Sequence, residues 1–127
     1  MRLAALTVAL LATTAGAQES APLPPGQAEF AREMITCGQQ YVALKLLEPG
    51  SSTPTEIAAE AQPYLDAAVG AAGYDFVERE TPALRKSALA EVSTIATQGS
   101  SATTKAIKKL KKTCDAKLEA RPIPTAS

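Results

Sequence analysis

Two cysteines, Cys37 and Cys114, are the residues of this chain best equipped for covalent chemistry. A thiol acts as a nucleophile or redox centre when a base, a cation or a second thiol activates it. No CxxC spacing is present, and the chain contains no histidine. Without histidine the commonest general base, the usual catalytic triads and most transition-metal sites fall away. Carboxylates remain. Glu78 and Glu80 are close in sequence, as are Glu56 and Glu60 at helical i,i+4 spacing, but solvated helix ends and faces are the ordinary use of such pairs. The phosphate-cradling patterns GxGxxG and GxxxxGK[ST] are absent, as is the nucleophile elbow GxSxG. The residue inventory therefore points to a non-catalytic protein, with an enzyme kept as a remote alternative. No cofactor and no metal are expected.

Charge is the strongest non-structural feature. Residues 18–80 carry ten acids and three bases, a net of −7; residues 81–127 carry nine bases and three acids, a net of +6. Lys105, Lys108, Lys109 and Lys112 fan over one side of a candidate helix, opposite an apolar stripe. Such a face is either plain solvated surface or a docking patch for an acidic protein or anionic lipid headgroups. Nucleic acid is not expected, because the patch lacks interleaved aromatics and arginines. Tyr74 and Phe76 stand in a stretch, residues 74–80, that reads as a loop between proline-broken helices. They are a candidate loop contact for a partner, or else a cover for the core.

The elements that position these residues are helical. Residues 29–48 read as a helix with two apolar sides, Phe30, Met34, Cys37, Tyr41 and Leu44 on one and Ile35, Val42 and Leu46 on the other. A helix apolar on two sides is wrapped by neighbours, so this one is expected to form the core. Thr53, Pro54 and Glu56 spell a capping box with proline at the first helical position. The helix they start carries Ile57, Ala61, Tyr64, Leu65 and Ala68 on one face, is expected to kink or break at Pro63, and stops at Gly73. Thr81-Pro82 reads as the start of a third helix bearing Leu84, Ala88, Val92 and Ile95. A fourth, from about residue 102 to 120 and capped by Ser100 or Ser101, buries Ile107, Leu110, Cys114 and Leu118. Both cysteines thus fall on inward faces of the first and last helices. The sequence predicts an all-α, four-helix bundle closed by a Cys37–Cys114 disulfide, worth about 4 kcal/mol in the chain-entropy picture.

The amino terminus reads as an address. Met1-Arg2, the apolar run at residues 3–12 and the small-x-small Ala15-Gly16-Ala17 form a signal-peptide pattern, with cleavage near Ala17-Gln18. The expected organisation is a signal peptide over 1–17, a flexible linker over 18–27, a helical domain over 28–121 and a disordered tail over 122–127. An even cysteine count in an exported chain argues for a disulfide, and the expected location is periplasmic or secreted. The function read from these features is a small exported binding protein: an inhibitor, an immunity-type protein or an accessory factor. Its partner is expected to be another envelope or secreted protein, with an anionic lipid surface as the alternative. A cell-envelope stress chaperone is the competing reading, in which carboxylates such as Glu78 and Glu80 respond to acid.

Overall fold

The computed structural model describes residues 23–48, 50 and 52–122. They form four helices: α1 (Pro25–Leu47), α2 (Pro54–Ala72), α3 (Tyr74–Ala96) and α4 (Ser100–Glu119). No strand occurs among the described residues. The expected signal peptide, residues 18–22 of the expected linker and residues 123–127 of the expected tail lie outside the described residues.

Helix α1 packs against all three others, most extensively against α2, while α2, α3 and α4 touch one another at few points. The reason is in its side chains. Phe30, Met34, Cys37, Tyr41 and Leu44 are all buried, as expected of the first stripe. The second stripe is buried at Ile35, partly covered at Val42 and open at Leu46, which is 56% exposed. The wrapping is therefore complete at the amino-terminal half of α1 and fades toward its end. One apolar cluster joins Phe30, Met34, Ile35, Tyr64, Ala68, Phe76 and Val77 around the cysteines. A smaller one joins Tyr41, Leu44, Ala61, Val92 and Ile107.

Three boundaries depart from the sequence reading, each for a local reason. Helix α1 begins at Pro25, inside the expected linker. Pro25 occupies the first helical turn, where its missing N–H costs nothing, and Pro24 before it is extended, as a residue preceding proline prefers. Gln27, expected to be linker, is buried, and its Nε2 donates to the Pro122 carbonyl at 3.4 Å, so the start of α1 meets the end of α4. Helix α2 runs unbroken through Pro63. The carbonyl deprived of its donor belongs to exposed Ala59, where water serves it. The capping box forms as read: the Thr53 hydroxyl accepts from the Glu56 N–H, and the Glu56 carboxylate accepts from the Thr53 N–H at 2.9 Å.

The third departure is the largest. Residues 74–80 are not a loop but the first two turns of α3, which continues through Pro82. Gly73 makes this possible. At φ +91° it ends α2, with its N–H on the Val69 carbonyl, and its own carbonyl accepts from Val77 to open α3. Pro82 and Glu78, whose carbonyl loses its donor, are both exposed. Thr81 does not cap a new helix; its hydroxyl donates back to the Val77 carbonyl at 2.6 Å.

The disulfide joins Cys37 of α1 to Cys114 of α4, 77 positions apart in sequence, and no free cysteine remains among the described residues. No helix among the described residues is long and apolar enough to cross a membrane. The cysteine pairing is compatible with an oxidising, extracytoplasmic compartment.

Candidate docking face

Helix α4 starts from Gly99, whose φ of +102° turns the chain out of α3; no side chain caps it. Thr103, Ile107 and Cys114 are buried beneath it, with Leu110 and Leu118 packed at its edges. That inward stripe fixes which way the lysines face. Lys105, Lys108, Lys109 and Lys112 are all exposed, and none has an ion-pair partner among the described residues. Lys111 and Lys117 are used differently. Lys111 pairs with Asp115 one turn on at 3.0 Å, as the spacing allows, and Lys117 reaches Glu33 of α1 at 3.4 Å.

Asp115 is the polar hinge between α2 and α4. Its carboxylate accepts the Tyr64 hydroxyl at 2.6 Å from one side and Lys111 from the other. The Tyr64 hydrogen bond, then the Lys111 bond and charge, hold its carboxyl below the usual carboxylate range against the opposing effect of burial. Burial first, and then the same contact, push the Tyr64 phenol well up. Tyr41 stands edge-on to Tyr64, ring centres 6.5 Å apart, and donates to Glu60 at 2.8 Å. Burial first, and then the Glu60 bond, push it up to about 12. These phenols stay protonated and serve as donors. Sequence reading placed Tyr41 and Tyr64 in the core; their bonds to acids of other helices carry no local pattern and went unforeseen.

Three of the four candidate acid–base carboxylates have structural partners. Glu56 is committed to the capping box, which holds its carboxyl low, and Glu60 accepts from Tyr41. Glu80 pairs with Arg32 at 2.9 Å, and Glu78 is exposed on α3. Among the described residues no three acids or cysteines gather as a metal site would require.

Tyr74 and Phe76 do not form one spot. Tyr74 is 65% exposed at the start of α3, whereas Phe76 is 8% exposed and belongs to the main core. The Arg32 and Arg79 guanidinium groups lie 5.2 and 5.8 Å from the Phe76 ring centre, closing it off from water. The helical geometry explains the split: residues two apart on a helix point to different sides.

Sparse contact among α2, α3 and α4 leaves open grooves over α1. One of about 330 Å³ lies between α1 and α4 and includes both cysteines in its lining. Another of about 210 Å³ lies between α3 and α4, with Leu44, Val92 and Ile95 on its floor and walls and Lys109 on its rim. No family model, curated protein or solved structure matches this chain.

Proposed function

We propose that the chain is an exported, non-catalytic interaction protein that docks an acidic protein through the lysine face of α4. One observation carries the reading. Four lysines stand exposed and, among the described residues, without ion-pair partners on a helix held in place by the disulfide and the Tyr64–Asp115 bond. A helix already fixed in place presents this charge without any backbone ordering on binding, and the charge steers an acidic partner toward the face. Export is supported by the signal-peptide pattern at residues 1–17 and by the cysteine pairing.

The test is a cross-linking pull-down with the oxidised protein beginning at Gln18, taken from its own envelope fraction and read by mass spectrometry. One dominant acidic partner, lost from a Lys108→Glu/Lys112→Glu variant of unchanged helix content, is the expected result. Unchanged capture by that variant rejects the face as the docking site. Capture of no protein, together with sedimentation on anionic vesicles, replaces the acidic protein by a lipid surface.

A further inference from the structure

The lysine face lasts only while α4 stays docked, and α4 has the least apolar material to hold it. Helix α2 buries Ile57, Ala61, Tyr64, Ala67 and Ala68; α4 buries only Thr103, Ile107 and Cys114. One of these three is half of the disulfide. The remaining polar ties to α4 are few: Tyr64–Asp115 and Thr104–Glu48, both half-buried, exposed Lys117–Glu33, and the long Gln27–Pro122 bond just past its end. Its leading end is an exposed glycine turn at Gly99. The other three helices need α4 less: the main cluster takes Phe30, Met34, Ile35, Tyr64, Ala68, Phe76 and Val77 from α1, α2 and α3, and from α4 only Cys114, with Leu110 and Leu118 packed at its edge.

We infer that the Cys37–Cys114 bond is a redox latch. Its reduction releases α4 as a unit from a three-helix remainder, removes the lysine face and uncovers the α1 surface around Tyr41 and Leu44 that Ile107 and Leu110 cover. Elements with few buried contacts open independently of the rest of a domain. Both cysteines belong to the lining of the open groove between α1 and α4, but at 5% and 2% exposure their sulfurs are reached only when α4 lifts from that groove. The reductant is a dithiol. One of its thiolates attacks the sulfur of Cys37, the more exposed cysteine of the pair. The Cys37–Cys114 bond breaks, and Cys114 leaves as a thiolate that takes a proton. The second reductant thiol then attacks the mixed disulfide, closing the reductant's own disulfide and freeing Cys37 as a thiol. Two electrons and two protons pass to the protein.

The packing alone supports the release of α4; its consequence for docking rests on the function proposed above. Native-state hydrogen exchange, resolved by mass spectrometry, separates the two. The chain is compared in its oxidised form and after reduction by dithiothreitol to two free thiols. Amides of Ser100–Glu119 are expected to lose about a hundredfold in protection, while α1 and α2 keep theirs. Far-ultraviolet circular dichroism falls by about a quarter, α4's share of the helix. Either of two results overturns the latch: α4 as protected after reduction as before it, or all four helices losing protection together. No partner enters the experiment, so its failure leaves the docking reading standing, and loss of the docking reading leaves the latch standing.

Discussion

Asp115 carries more of the structure than its half-exposed position implies. It is the acceptor between Tyr64 of α2 and Lys111 of its own helix, and the Tyr64 bond is the larger cause of its lowered pKa. A carboxyl whose folded pKa lies below its unfolded one stabilises the fold above the unfolded value, about 3.9 for aspartate. That contribution is lost as pH falls through the folded value. Glu56 in its capping box works in the same direction. Stability is therefore expected to fall on acidification below about pH 4. Tyr64→Phe removes the larger support of Asp115 and leaves the ring in the core. It is expected to cost about 1 kcal/mol at neutral pH, a small figure because Asp115 can turn to water. It should also flatten the acid limb. Thermal melts of both proteins across pH 2–7 measure this, and parallel limbs would refute the assignment. At this scale the sequence was legible where a rule is local. The Lys111–Asp115 pair and the Thr53–Glu56 box are i,i+4 and i,i+3 relations. Tyr64–Asp115, 51 residues apart, depends on how two helices lie side by side.

Proline is where the elements depart from their sequence pattern. Pro63 and Pro82 each promise a break, and neither delivers one, because each sits on an exposed face where water replaces the lost bond. Pro82 was the more misleading of the two. Preceded by threonine, it imitates a helix start, and the imitation turned the first turns of α3 into an apparent loop, in which Phe76 stood as either a partner contact or a cover for the core. Gly73 held the correct information, since one glycine with positive φ can end α2 and begin α3 without any linker. The apolar stripes were legible in α1, α2, α4 and the part of α3 beyond Pro82, because a period of 3.6 survives a mid-helix proline; the buried Phe76 and Val77 at the start of α3 were not. Pro82→Ala is expected to restore the N–H to the Glu78 carbonyl and to stabilise the protein by about 1 kcal/mol, less than the full helix-interior penalty because the present site is solvated. Urea unfolding measures it as a higher midpoint at unchanged slope. A lower midpoint would mean that Pro82 restrains the unfolded chain more than it weakens α3.

Across the whole molecule the charge division acquires a spatial meaning. The acidic first half and basic last half, net −7 and +6, are not two ends of a rod. Helix α2, whose only charges are Glu56, Glu60 and Asp66, touches α4 through Tyr64–Asp115, so the acids partly neutralise the field on that flank of the lysine helix. Lys105 and Lys109 lie on the outward and α3-facing sides, beyond that seam. Docking through such a face is long-range electrostatics and must weaken with salt, since the screening length shrinks from about 10 Å at 0.1 M to about 3 Å at 1 M. The association rate should fall steeply over that range while the dissociation rate changes little, because steering acts before contact. Stopped-flow or surface-plasmon measurement with the captured partner separates the two rates. A Lys105→Gln/Lys109→Gln variant should show a shallower salt slope than a Lys111→Gln variant, since Lys111 is already committed to Asp115. Equal slopes for the two variants would place the steering charge elsewhere and would leave the four lysines as solvated surface.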